Sequence, residues 1–185
     1  MPPTLKRPRR ADRALTDEAW LKEMLHQAPY GILGTEWQRQ PYVKPTLFAF
    51  DEARHAIYFH GALEGSTRTN IEANPRTSFC VCEMGRLLPG DTAMEFGVEY
   101  ASLIAFGTTR IVSDDVEARH GLQLLLEKYF PHLKPGVDYR LILPEELNIT
   151  LVYRMDIETW SGKQKCAAAD FPGAFHYSPK VDSGE

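Results

Sequence analysis

The sequence has no apolar run approaching the roughly 20 residues that a membrane-spanning helix requires. The stretch from Met1 to Arg13 is basic but lacks the apolar core of a secretory signal, so the chain is expected in the cytoplasm. Cysteine is scarce, at three residues. Cys80 and Cys82 share one face of a strand-like run, and no second pair is present to complete a zinc site. All three, Cys166 included, read as reduced, buried, small apolar residues. An excess of positive charge is missing too: 21 Lys and Arg stand against 25 Asp and Glu, for a net charge of −4. That balance argues against a nucleic-acid-binding protein. The basic arm with Lys6, Arg7, Arg9, Arg10 and Arg13 is read as a solvated tail that packs on a partner subunit, with a nucleic-acid-associated regulator as the weaker alternative. Catalytic signatures are also absent: no G-x-S-x-G, no H-E-x-x-H, no P-loop, no G-x-G-x-x-G and no obvious carboxylate pair. An enzyme built on this chain would take its chemistry from a cofactor.

What is present fits one globular domain over residues 1–185, with an arm at 1–14 and an irregular tail at 166–185: 43% of residues are hydrophobic and 25% charged. Thr16 is the expected N-cap of a helix over 16–27, ended by Pro29. From Tyr30 the period changes. Strands are expected at 30–36, 42–50 and 55–61, joined by tight turns into an antiparallel meander, with Pro45 at an edge or bulge. Ser66 is the expected N-cap of a short helix closed by Pro75. Further strands are expected at 77–84 and 95–112, the latter bent at Gly97 or Gly107. An amphipathic helix follows at 114–130 and a last strand at 147–160, with Ser161–Lys165 just beyond it. Six antiparallel strands with peripheral helices predict a mainly β, closed or partly closed barrel.

Three clusters carry possible chemistry. The segment Ile57–Ala62 followed by Gly65–Arg68 runs from a strand through a glycine turn into a helix N-terminus, where free N–H groups favour an anion. Ser66 and Thr67 add hydroxyls and Arg68 a guanidinium suited to phosphate; an ordinary capped helix with a surface arginine is the competing reading. His60 lies beside this turn, either lining a ligand pocket or serving a structural role. Trp160 and Lys163 could cover a planar ring and reach a phosphate, or form a plain turn. Tyr100 and Ser102 share a strand face that meets either a pocket or a subunit interface.

The order of motifs resembles the pyridoxamine-5′-phosphate-oxidase-like flavin-binding split barrels, and within them the Nim-type nitroimidazole-resistance proteins. The resemblance is carried by Arg9–Arg13, Leu33–Thr35, Pro41–Pro45, Tyr58–Ala62, Asn74–Pro75, Tyr100–Ser102, Phe106–Gly107 and Trp160–Lys163. It implies a six-stranded split β-barrel and a homodimer with FMN at the subunit interface. Lys44, Pro45, Thr46 and Leu47 would then run beside the flavin ring. His60, Gly61 and Ala62 would lie near the ring and ribityl chain, and Ser66, Thr67 and Arg68 would hold the phosphate. Tyr100, Ser102, Trp160 and Lys163 would complete the pocket, some of them from the second subunit. The chain departs from its relatives in having Ser66 and Thr67 where many place a lysine or arginine, so Arg68 must supply the charge. The implied activity is electron transfer from reduced flavin to a small planar acceptor such as a nitroaromatic, with His60 as a proton donor. The alternative is a non-catalytic flavin or haem carrier, and the superfamily also accommodates a deazaflavin.

Overall fold

The computed structural model describes residues 10–179, so Lys6, Arg7 and Arg9 of the basic arm lie outside the described residues. A 3-10 turn at Ala11–Arg13 leads into β1 (Ala14–Leu15). Helix α1 (Glu18–Gln27) is capped by Asp17, whose carboxylate accepts from the Ala19 N–H at 3.0 Å. The cap therefore falls one residue after Thr16. The helix buries Leu21 and Leu25, each a contribution of about 1.5–3 kcal/mol. β2 (Gly31–Trp37) and β3 (Gln40–Thr46) form a hairpin. Its turn residues Gln38 and Arg39 hold φ of 48° and 69°, the primed-turn geometry that matches strand twist.

The expected strand over 42–50 breaks in two. β3 ends at Thr46 and β4 (Ala49–Asp51) begins after Leu47–Phe48. β4 pairs with β5 (Ala56–Gly61), and His55 belongs to the turn with φ 49°. The three-strand meander does not form. The sheet runs β3-β2-β6-β7-β8-β5-β4, which puts the two hairpins at opposite ends. Burial gives the reason: Ala56 to Phe59 are all fully buried. Ile57 and Phe59 join the main core, whereas Ala56 and Tyr58 join a second core under α3 (Asp115–Tyr129). A strand apolar on both faces needs cover on both sides, which the rim of a meander lacks. Pro45 sits in β3, an end strand of this order, where its missing N–H costs no ladder bond.

Of the central strands, β6 (Arg76–Leu88) outruns its expected length, β7 (Gly97–Ile111) falls within its expected span, and β8 (Leu151–Lys165) is shifted toward the C-terminus. Residues 161–165 thus continue the last strand instead of following it. Between Phe106 and Gly107 the β7–β8 register slips past Glu158. A Cβ on Gly107 would stand 1.9 Å from the Asp156 carbonyl oxygen, so only glycine fits this bulge. Helix α2 (Ser66–Ala73) crosses β2, and α4 (Pro144–Leu147) precedes β8. The tail is not wholly irregular. β9 (Phe175–His176) pairs with Arg86–Leu87, while Arg86 donates to the Ala168 and Ala169 carbonyls at 3.0 and 2.9 Å and to Glu99 at 2.8 Å.

The result is a mainly β, antiparallel architecture with peripheral helices, whose sheet is left open between its end strands β3 and β4, which do not pair with each other. Side chains of α3 bridge that split. The Tyr129 hydroxyl accepts from the Phe48 N–H at 3.1 Å and donates to the Pro29 carbonyl at 2.9 Å. Lys128 donates to the Leu25 carbonyl at 3.0 Å and lies 3.7 Å over the Phe48 ring; its burial pulls the ammonium down to about 8. None of the described helices is long and apolar enough to cross a membrane.

Candidate functional site

The split brings chain-distant residues together. Lys44 on β3 and His60 at the end of β5 stand close enough for the ammonium to act on the imidazole. His60 is solvent-exposed at its edge, yet partial desolvation, reinforced by the Lys44 charge, holds its pKa below the ordinary value. The ring is therefore neutral near pH 7. Beyond Gly61 and the exposed Ala62, the chain enters α2 through Gly65, which holds φ 128°. Gly65 is the N-cap; Ser66 is already the first helical residue, so the expected serine cap is not made. A glycine here offers no side-chain acceptor, so the first-turn N–H groups keep their capacity for an anion. Nothing lies within 4 Å of the place a Gly65 Cβ would take. Ser66 is exposed and Thr67 half-buried on this turn.

Arg68 is partly committed elsewhere. Its Nε donates to Glu72 and its Nη1 to the Leu63 carbonyl, both at 2.8 Å, leaving Nη2 without an acceptor among the described residues. Buried Asn70 donates to the Thr35 hydroxyl at 2.9 Å and so pins α2 to β2. On β3, Pro45 is exposed and Thr46 half-buried, and Leu47 after the strand is 50% exposed, an uncommon state for a leucine beside the core. Together these residues offer an apolar edge, a neutral imidazole, a lysine and an uncapped helix N-terminus. That set matches a ligand with a planar apolar body and an anionic tail.

The remaining candidates gather at the other end of β8. Tyr100 and Ser102 on β7 face outward beside Lys165 and Lys163, their register partners. The Arg13 guanidinium reaches the Tyr100 hydroxyl at 3.5 Å, and the Lys163 ammonium is 5.3 Å from the Tyr100 ring. Burial alone would raise the Tyr100 phenol, but hydrogen bonds and charge from Arg13 and Lys163 outweigh it and leave the pKa lowered. The structure does not bring Trp160 to this group. Trp160 packs against the main core, 4.5 Å from the His55 ring and 6.0 Å from Phe50. It lies three residues from Lys163 on a strand, hence on the opposite face. His60 pairs with Val152 and Ser102 with Lys163, so 11 residues of β8 separate the clusters. At about 3.3 Å per residue this is roughly 35 Å.

Arg13 is the residue that sequence reasoning missed: its contact with Tyr100 spans 87 residues, and no local pattern announces it. The cysteine reading needs correction as well. Cys82 and Cys166 are exposed and Cys80 is half-buried, because the outward face of β6–β7–β8 carries no covering layer among the described residues. Ile104 is 39% exposed in the middle of that face. A groove of about 720 Å³ opens beside it, lined in part by Gly34, Tyr42 and Phe106 of the family motifs and by Arg76, Ser78 and Glu158, which were not singled out from the sequence.

With this geometry in hand, comparisons become informative. The family model described as pyridoxamine 5′-phosphate oxidase matches residues 17–164. A solved flavocytochrome from Azotobacter vinelandii superposes with a TM-score of 0.76 at 21% identity, covering 87% of this chain and 73% of that one. An FAD and heme binding protein from Mycobacterium smegmatis gives 0.74 at 20% identity, with 84% and 74% covered. A candidate 5-nitroimidazole antibiotic resistance protein from Bacteroides thetaiotaomicron gives 0.68 at 17% identity, with 82% and 86% covered. At these identities the likeness is one of fold. No curated protein matches the sequence.

Proposed function

The chain belongs to the pyridoxamine 5′-phosphate oxidase family, and on that premise we propose that two copies hold FMN between them and pass electrons from the reduced flavin to a small planar acceptor such as a nitroaromatic. Lys44, Pro45, Thr46 and Leu47 run beside the ring in this reading. His60, Gly61 and Ala62 meet the ring and ribityl chain. Ser66, Thr67, Arg68 and the first-turn N–H groups of α2 take the phosphate. Tyr100, Ser102 and Lys163 come from the second copy. Trp160 is left out, since its ring is engaged in the core.

The observation that carries the reading is the uncapped, open N-terminus of α2 lying next in the chain to His60, an imidazole within electrostatic reach of Lys44. The roughly 35 Å between the two clusters is what calls for a second copy, because one chain cannot fold both onto one ligand. The outward face with Ile104 is bare enough to receive that copy. Bound flavin supplies electrons, as hydride or in single steps. The protein's share is positioning and proton management. Lys44 favours electron density on a neighbouring ring, and a neutral His60 can accept a proton near pH 7.

An absorption spectrum of the purified protein, before and after adding FMN, tests this. The expected result is flavin bands co-eluting with a dimer, weakened in Arg68→Ala, followed by turnover of a nitroaromatic with a chemical reductant. A Soret band would move the function to a haem carrier, a reading favoured by the flavocytochrome and the FAD and heme binding protein among the fold relatives. Tight flavin binding without turnover would favour a flavin carrier.

A further inference from the structure

The outward face at the Lys163 end of β8 holds positive charge that its carboxylates do not fully offset. Asp12 is taken by Arg10, through bonds of 2.8 and 2.6 Å, and lies 3.8 Å from the Arg13 guanidinium. Glu99 is taken by Arg86 and by the Ala167 N–H, each at 2.8 Å. Arg13 therefore shares its carboxylate with Arg10, and Lys163 has no ion pair among the described residues, in a chain whose net charge is −4. Arg13 and Lys163 meet at one group: Arg13 touches the Tyr100 hydroxyl and Lys163 approaches its ring. Lys165, the register partner of Tyr100, carries its ammonium beside Gly97 instead. Tyr100 and Lys165 also line a recess of about 310 Å³ with Met84, Gln164, Cys166 and Glu83, the last being its one carboxylate not engaged by an arginine. Two cations gathered round a phenol cost Coulomb energy unless an anion joins them.

We propose that Arg13, Tyr100 and Lys163 form an oxyanion-binding subsite, which takes the carboxylate or phosphate group of a small-molecule ligand. The guanidinium fork and the Lys163 ammonium supply charge-assisted bonds, and the Tyr100 hydroxyl supplies a directed donor. Ser102 is the register partner of Lys163 and shares this face. The position of the subsite beside a flavin rests on the dimer reading above, in which this face belongs to the second copy's pocket. Anion binding itself does not. In that setting the acceptor carries its oxyanion at the Tyr100 end, and the flavin phosphate keeps to α2 of the other copy.

Isothermal titration with inorganic phosphate and with malonate, at constant ionic strength, tests the subsite on the full chain after FMN addition. The expected result is saturable binding of at least one probe, weakened on the order of tenfold in Lys163→Met and in Arg13→Leu, with Tyr100→Phe weaker than wild type. The tighter probe identifies the group recognised. Absence of saturable binding overturns the proposal. So does binding that survives Lys163→Met but is lost in Arg68→Ala, which would put the anion on α2. The two readings fail separately. Flavin uptake without oxyanion binding removes the subsite and leaves the flavin site. Oxyanion binding that depends on Lys163 in a chain taking up no flavin retains the subsite and removes the flavin reading.

Discussion

The two halves of β8 differ more than any two segments of equal length in the sheet would be expected to. From Leu151 to Ile157 the strand is covered on both faces, by the main core on one side and by α3 on the other. Polar groups there are saturated. Glu117 accepts from the Tyr58 hydroxyl at 2.9 Å, from Arg110 at 2.7 Å and from Arg154 at 2.9 Å. From Glu158 to Lys165 the strand is covered on one face only, where Leu15 of β1 and Trp20 and Leu21 of α1 press on Gly162, and its outward side chains meet no second layer among the described residues. The first half is built for stability. The second half keeps unspent charge and exposed apolar surface, the resources from which binding is made.

The widest break in that contrast is a change at the joint between the halves. Gly107→Val should destabilise the fold by about 3 kcal/mol or more, because the clash is with backbone that cannot rotate away. Urea denaturation would read it as a lower midpoint, and an unchanged midpoint would mean the bulge is not needed. Next comes Glu117→Gln, expected to cost about 3 kcal/mol at pH 7 by leaving Arg110 and Arg154 short of charge. Against partial desolvation, the two arginines and Tyr58 hold the Glu117 carboxyl down at about 2, from an ordinary 4.5. A depressed acid stabilises fully above its unfolded pKa, so this contribution is present above about pH 4.5 and fades as pH falls toward 2. The variant should therefore lose much of the acid dependence over that window. Acid titrations of equal steepness in both proteins would deny the network its role.

The bare half answers differently. Ile104→Glu should abolish the proposed dimer in size-exclusion chromatography with light scattering, while changing the unfolding free energy by under about 1 kcal/mol. A variant that stays dimeric would place the interface elsewhere. Smallest of all, Lys163→Met should shift stability by no more than about 0.5 kcal/mol, since no ion pair is lost. A larger shift would show that the outward face is more tightly built than its contacts imply.

Much of the β8 contrast was hidden in the sequence, although the elements themselves were not. Helices α1 and α3, the β2–β3 hairpin and the edge position of Pro45 follow from local signals: periodicity, caps, turn spacing and a missing N–H. The grouping of His60 with the glycine turn and α2 was legible for the same reason, as those residues are neighbours in the chain. The meander was a mistaken inference from proximity. Short loops favour neighbouring pairs, but a strand buried on both faces overrode that tendency. Trp160 and Lys163 were read as one cluster because they are close in sequence. Alternation along an unbroken strand separates them by a full sheet thickness.

Local chemistry was therefore enough to establish a mainly antiparallel β chain with three principal helices, one of them starting at the glycine turn beyond His60, and no apolar run long enough for a membrane helix. Tertiary structure alone decided which strands became neighbours, that the Lys44 charge reaches His60, that Arg13 meets Tyr100, and that the two clusters lie far apart on one strand. The physical reason is register. A helix or turn is specified by residues within a few positions of one another, whereas a one-residue slip between distant strands would turn every outward side chain inward, and only the packed core excludes that slip.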